Sequence, residues 1–177
     1  MRGMLMMLLA VGCATEGADP VESELDTTLR VLGANAEVFG CGDVHMVVAD
    51  ASDQRAMRLT ISDDLAQAAT LAGEPVIAEY ALPHPAVDVR VLWGTDVSAM
   101  ECNDVGMPNV VISGEAVAIE GTVSIEVAPD GWGTEFFPTG HASAMLEQAV
   151  FEVVGTGQQG VLDSLVVDDV YVGWLPG

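Results

Sequence analysis

The strongest constraint on the fold is a long run in which apolar and polar residues alternate. Between Glu115 and Val127, every second residue is apolar or glycine, and most of the residues between them are polar. Successive side chains of a β-strand point to opposite faces of the sheet, so a period of two predicts a strand with one buried face. The apolar side consists of Val117, Ile119, Gly121, Val123, Ile125 and Val127, and the polar side includes Glu120, Thr122, Ser124 and Glu126.

The same alternation and β-branched composition recur along the chain from residue 37. They predict further strands at Val44–Ala49, Ala56–Ile61, Val76–Leu82, Val87–Trp93, Met145–Val154 and Leu165–Trp174. The segment Asp63–Leu71 is the one that favours a helix, because Asp63 and Asp64 suit a helix N-terminus and Gly73 suits its end. We therefore expect residues 37–177 to form an all-β fold, a single antiparallel β-sandwich or partly open barrel. It should have about seven to eight strands and at most one short helix.

The first thirteen residues contain one positive charge at Arg2, a short apolar run from Met4 to Val11, and then Gly12 and Cys13. The apolar run would cover only about 13 Å as a helix, less than half of a bilayer core. The sequence Ala10-Val11-Gly12-Cys13 resembles the lipobox of bacterial lipoproteins. The resemblance implies that residues 1–12 are a signal peptide and that Cys13 carries a lipid anchoring the protein to a membrane. A plain secretory signal or a buried N-terminal segment is the alternative.

The same resemblance has an implication for the localisation of the protein. Ala14 follows the lipobox cysteine, where an aspartate would retain some lipoproteins at the inner membrane. The resemblance therefore implies an exported lipoprotein of the outer membrane, facing the periplasm or the cell surface. Residues 13–36 are small and acidic, and we expect them to form a flexible tether between lipid and domain.

The charge balance excludes some partners. The 177 residues carry 27 Asp and Glu against five Arg and no Lys, for a net charge of −22. Nucleic-acid binding needs clustered cations and is excluded, as is electrostatic docking on anionic lipid. The acidity has two explanations that composition does not separate: adaptation to a saline habitat, or a surface that interacts with cations.

With Cys13 assigned to the lipid, two cysteines remain in a chain expected in an oxidising compartment. We predict a disulfide between Cys41 and Cys102. Closing a loop of about 60 residues should stabilise the domain by about 4 kcal/mol in the chain-entropy model. Two buried free thiols are the alternative.

Oxygen-rich loops raise the possibility of calcium binding. Calcium takes six to eight oxygen ligands, and the candidates are Asp50 and Asp53 in one loop and Asn103 and Asp104 in another. Neither loop has the spacing of an EF-hand, and aspartates are also ordinary turn residues. Copper is a weaker alternative, with candidate ligands His45, Met46, His84 and His141.

Three of the nine aromatic residues fall in one glycine-containing loop, as Trp132, Phe136 and Phe137. If they project, they offer a contact for a glycan or for another envelope protein. If they fold back, they cover an open end of the sandwich. We favour the second interpretation from sequence.

No motif for catalysis is present. The chain lacks a G-x-S-x-G elbow, and the spacing of His45, His84 and His141 does not bring them together. We expect surface or edge histidines and a non-enzymatic binding or structural module of the cell envelope, with a glycan or an envelope protein as partner. The alternative function is a calcium-binding β-sandwich domain that uses the Asp-rich loops.

Overall fold

The computed structural model of the chain describes residues 22–34, 36–102 and 109–173. These residues form two helices, α1 (Glu24–Leu32) and α2 (Leu65–Ala72), and eight strands. The strands are β1 (Ala36–Cys41), β2 (Val44–Asp50), β3 (Arg55–Ile61), β4 (Val76–Leu82), β5 (Val87–Thr95), β6 (Val111–Pro129), β7 (Thr139–Val153) and β8 (Gln159–Gly173). All seven predicted strands are present, and β1 is an additional one. The last residue of the predicted final strand, Trp174, lies outside the described residues.

The strands form one antiparallel sheet in the order β1-β2-β3-β5-β6-β7-β8, and β4 also pairs with β6. Strand β6 is long enough to have two neighbours on the same edge. Its first part pairs with β5 through Val117, and its second part pairs with β4 from Gly121 onward. The register shifts on both sides of Glu120 where β6 meets β7, which marks the bend between the two parts.

The sheet curls until its two edges approach each other, so it is a nearly closed barrel. Gly42 and Gly173 form a bridge between the ends of β1 and β8. At Gly40, an added Cβ would lie 2.6 Å from Val170 Cγ1 and 2.7 Å from the carbonyl oxygen of Tyr171. Only a residue without a side chain allows this approach. The all-β fold with a partly open barrel is thus confirmed.

Helix α1 lies within the segment predicted to be a flexible tether, so that prediction is wrong for residues 24–32. Leu25, Leu29 and Leu32 recur at helical spacing and are buried in the barrel core. Ser23 caps the helix by accepting a hydrogen bond from the backbone N–H of Asp26 (3.0 Å). The acidic composition concealed this helix, although Ser23 and Asp26 stand at the spacing of a capping box.

Helix α2 confirms the predicted helix, with its end at Gly73, which has a φ of 70°. Asp64 occupies the N-cap position without a side-chain capping bond. Asp63 instead accepts a hydrogen bond from the Tyr80 hydroxyl on β4 (2.8 Å). Burial and this bond raise the pKa of Tyr80 to about 12. With α1 and α2 the described residues contain two helices, one more than predicted.

Most buried side chains fill the interior of the barrel, but a second apolar cluster lies on its outside. It consists of Val47, Ala49, Ala56, Leu92 and Val97, with Phe39 packed against it. Val97 belongs to residues 96–102, which we call the strap, because they fold back over the outer face of β2, β3 and β5. The strap explains why every residue of β2 except His45 is buried.

Candidate functional site

Two segments outside the barrel carry the side chains of interest: the strap and the loop between β6 and β7. The second segment, residues 130–138, is called the aromatic loop. Its conformation depends on Asp130, whose Oδ1 accepts hydrogen bonds from the backbone N–H of Trp132 (2.7 Å), that of Gly133 (3.3 Å) and the Thr139 hydroxyl (2.8 Å). One carboxylate at the end of β6 therefore holds both the first half of the loop and the start of β7.

The second half of the aromatic loop is a tight turn. The backbone groups of Thr134 and Phe137 exchange two hydrogen bonds of 2.9 and 3.1 Å. Glycines provide the space that this path needs. Gly131 has a φ of 80°, and a Cβ on Gly133 would lie 2.7 Å from the backbone nitrogen of Thr139. The loop also contacts α2, where the Gln67 side chain donates to the carbonyl of Glu135 (3.2 Å).

The three aromatic side chains of this loop point into solvent. Trp132 is 87%, Phe136 82% and Phe137 58% exposed. The interpretation that they fold back over an open end of the barrel is therefore wrong. Hydrogen bonds from backbone N–H groups to the Asp130 carboxylate, and those within the 134–137 turn, fix the path of the loop, and along this path the rings point outward. Leu71, on the helix that the loop contacts, is also exposed.

The electrostatics of the loop favour an ionised Asp130. Burial disfavours the charge, but the hydrogen bonds from Trp132, Thr139 and Gly133, together with nearby His141, outweigh it and lower the pKa of Asp130. His141 also approaches Asp169 of β8, with 2.9 Å between Nδ1 and Oδ1. The carboxylate that orders the aromatic loop is thus charged at neutral pH, when it accepts hydrogen bonds most strongly.

The strap is fastened at both ends. At its start, Asp53 accepts the backbone N–H of Val97 on its carbonyl (3.0 Å) and that of Ser98 on its carboxylate (2.7 Å). At its end, Cys102 forms the disulfide with Cys41, with 2.06 Å between the sulfurs. The predicted disulfide is confirmed, and it joins the strap to the end of β1.

Glu101, next to the disulfide, carries the polar contacts of the strap. Its Oε2 lies 2.8 Å from Nε2 of His45, and its Oε1 lies 3.6 Å from Nη1 of Arg58. The other ring nitrogen of His45 lies 2.8 Å from the Thr60 hydroxyl. The bond with His45 and the charge of Arg58 outweigh burial and lower the pKa of Glu101. The side chains of His45 and Glu101 are only 20% and 8% exposed.

A carboxylate, a histidine and a hydroxyl thus meet under the strap, which the sequence did not predict. Antiparallel pairing places Cys41 opposite His45 and His45 opposite Thr60 on one face, which follows from the strand pattern. Glu101 is 56 residues from His45, so only the fold brings it there. The prediction of a surface or edge histidine is wrong for His45, whose two nitrogens are both engaged. The group fastens the strap and leaves little surface for a substrate.

The other two histidines have separate partners. Nδ1 of His84 accepts the backbone N–H of Ala86 (3.2 Å), and its ring lies 5.0 Å from that of Tyr80. His141 packs edge-on against Tyr171 and is about half exposed. The copper ligands suggested by sequence are therefore not gathered at one place among these residues, since Met46 faces the barrel interior.

The structure gives Asp50, one of the four calcium candidates, another role. Asp50 accepts backbone bonds from Gln54 (2.8 Å) and Arg55 (3.0 Å), and Ser52 donates to it (2.7 Å). The Arg55 guanidinium lies 3.7 Å away. Although burial opposes it, these contacts lower the pKa of Asp50. A carboxylate already neutralised by an arginine and bonded within its own turn is a poor calcium ligand.

Asp53 belongs to the same loop and is likewise engaged, in holding the strap. The other two candidates, Asn103 and Asp104, lie outside the described residues. Among the residues that the structure describes, the one group of three metal-ligating side chains that comes together is Cys41, His45 and Cys102, with ligand atoms within 4.8 Å of one another.

Comparison of the chain with known protein families, with curated proteins and with solved structures gave no match. Fold and sites therefore define the chain only as an acidic, nearly closed β-barrel domain with a disulfide-fastened strap and an exposed aromatic loop. Neither of the helices in the described ranges is long and apolar enough to cross a membrane. The lipobox-like segment and Cys13 lie outside those ranges.

Proposed function

We propose that this chain is an exported, lipid-anchored module of the cell envelope that binds an uncharged glycan through the aromatic loop and does no catalysis. The observation that carries the proposal is the exposure of Trp132, Phe136 and Phe137 on a loop whose backbone is held by Asp130. Exposed aromatic groups of this kind mark interaction sites more often than scattered single apolar residues do.

The aromatic loop is ordered as well as exposed, because the Asp130 carboxylate holds its backbone. A ligand that meets a fixed loop does not have to order it, so less binding free energy is lost. Tryptophan and phenylalanine rings present flat apolar faces, and the C–H faces of sugar rings are apolar while their hydroxyls are polar. The exposed Glu135 in the same turn offers carboxylate oxygens that accept bonds from such hydroxyls.

The charge of the chain supports a neutral ligand. At −22, the protein repels anionic polymers and anionic lipid, but it does not repel an uncharged saccharide. A cationic patch on an envelope protein is the other partner that this charge allows. The glycan is preferred because the most exposed apolar side chains of the loop are the uncharged aromatic rings of Trp132 and Phe136.

The export part of the proposal rests on the lipobox-like segment and on the disulfide. Disulfides persist in oxidising compartments and are rare in the cytosol. Changing Cys13 to Ser in the native host should move the protein from the membrane fraction to the soluble fraction. Continued membrane association of the Cys13→Ser protein would contradict the lipid anchor.

The binding part is tested with an array of uncharged oligosaccharides and with insoluble neutral polysaccharides. We expect at least one to bind the wild-type protein, and Trp132→Ala to weaken that binding at least tenfold. The matched control is Val161→Ala, which truncates an exposed apolar side chain near the start of β8. The aromatic loop lies near the opposite end of that strand, where Thr139 pairs with Gly173. Equal binding by Trp132→Ala, or no binding to any neutral glycan, would contradict the proposal. If a cross-linker at position 132 captured another envelope protein instead, the ligand of the loop would be a protein and the glycan proposal would be wrong.

A further inference from the structure

We propose that reduction of the Cys41–Cys102 disulfide creates a Cys₂His site for a thiophilic divalent cation, with zinc as the reference ion. This site is independent of the aromatic loop and of the glycan proposal. The starting observation is that both sulfurs and a ring nitrogen of His45 lie within 4.8 Å of one another. Thiolate and imidazole are the ligands that zinc prefers.

The sheet places the three ligands together. Cys41 and His45 are directly paired across the β1–β2 hairpin, so their side chains leave the same face of the sheet. Cys102 lies at the end of the strap, whose other end is held by hydrogen bonds from two backbone N–H groups to the carbonyl and the carboxylate of Asp53. Breaking the sulfur–sulfur bond therefore does not remove the contacts that keep the strap near β2, among them those of Glu101.

Reduction requires an external dithiol, such as the active-site pair of a thiol–disulfide oxidoreductase. Its thiolate attacks the sulfur of exposed Cys102, and the Cys41 sulfur leaves and takes a proton. The second thiol of the reductant then resolves the mixed disulfide and releases the Cys102 thiol. Two electrons and two protons reach the protein, and the dithiol becomes a disulfide. Binding of Zn²⁺ then displaces the two thiol protons.

The geometric change is small. Two sulfurs bound to one tetrahedral zinc at about 2.3 Å are about 3.8 Å apart. The Cα atoms of Cys41 and Cys102 are 5.5 Å apart, a separation from which rotation of the two side chains can place both sulfurs on one ion. The strands can therefore keep their places when the ion binds.

The surroundings of His45 suit a metal ligand. Histidines that bind metals usually donate their other ring N–H to a carboxylate or another oxygen, which fixes the ring. His45 has an oxygen at each nitrogen, Glu101 at Nε2 and Thr60 at Nδ1. The nitrogen that binds the ion gives up its present oxygen partner, and the other nitrogen keeps the one already in place. A fourth ligand would come from water or from Glu101.

The test uses the full chain with Cys13→Ser, so that only Cys41 and Cys102 carry thiols, and Zn²⁺ alone as probe. After reduction by a phosphine and its removal under anaerobic conditions, zinc affinity is measured by competition with a chromogenic chelator. Melting temperature is recorded with and without zinc. We expect one equivalent of zinc to bind the reduced protein and to raise its melting temperature. The oxidised protein should do neither.

Two histidine variants separate a folded site from two free thiols. His45→Asn should lower zinc affinity of the reduced protein at least tenfold and abolish the rise in melting temperature. His84→Asn is the matched control and should behave as the parent. If the reduced parent binds no zinc, or if His45→Asn binds it as tightly and is stabilised equally, the proposal is wrong. Because the stabilisation is measured on the reduced chain itself, a reduced protein that unfolds without zinc still gives a result: zinc restores the fold or it does not.

Discussion

The strap and the aromatic loop are two loops of similar length that treat their apolar residues in opposite ways. The strap buries Val97 against the outside of the barrel and is fastened by a disulfide and by Glu101. The aromatic loop is ordered mainly by hydrogen bonds to Asp130 and exposes its rings. The difference shows that order and burial are separate properties. The exposed aromatic side chains of an already ordered loop add little to the stability of the fold. This is why we propose a binding role for them.

The largest expected effect removes the covalent fastening of the strap. The double variant Cys41→Ser/Cys102→Ser should lose about 4 kcal/mol of unfolding free energy, because its denatured state regains the freedom of the 61-residue loop. Denaturant unfolding of the oxidised wild type and of the variant measures the loss. Equal midpoints would mean that Val97 and Glu101 hold the strap without help. The aromatic loop should bind its ligand unchanged in the folded variant.

A smaller effect removes the polar fastening. Glu101→Gln keeps the shape of the side chain but removes the charge that faces His45 and Arg58, and should cost about 2 kcal/mol at pH 7. Because the pKa of Glu101 is lowered from 4.5, its contribution is complete above about that pH and is lost as the pH falls through the folded-state value. The difference in unfolding free energy between wild type and Glu101→Gln should therefore shrink below pH 4.5. A difference that stays constant down to pH 2.5 would contradict the ionised pairing.

The smallest effect on stability is expected in the aromatic loop. Trp132→Ala should change the unfolding free energy by less than about 0.5 kcal/mol, because a side chain exposed to 87% loses little on truncation. Trp93→Ala is the informative contrast, since Trp93 packs against the barrel core and its ring lies over Gly114, and should cost about 3 kcal/mol. A large loss of stability in Trp132→Ala would mean that the loop is structural, as the strap is.

Much of the fold could be predicted from the alternation of residues. Strands β2 to β8, helix α2 and its end at Gly73 follow from local patterns, since a half-buried strand alternates wherever it lies in the sheet. Helix α1 was missed because its acidic exposed face dominates the composition, while the three leucines of its buried face occupy few positions. The disulfide could be predicted because Cys41 and Cys102 have one possible pairing once Cys13 is assigned to a lipid and export is expected.

The sequence by itself determined the all-β class and the extreme acidity, and it predicted the pairing of Cys41 with Cys102 that the structure confirms. Only the tertiary structure decided that the aromatic side chains of the loop are exposed to water, because exposure depends on what else packs against a loop. The tertiary structure also placed Glu101 against His45. It engaged Asp50 in hydrogen bonds within its own turn and Asp53 in hydrogen bonds to the strap. Some of these contacts join residues far apart in the chain, and others depend on a competing donor such as Arg55. Neither can be predicted from the local spacing of residues.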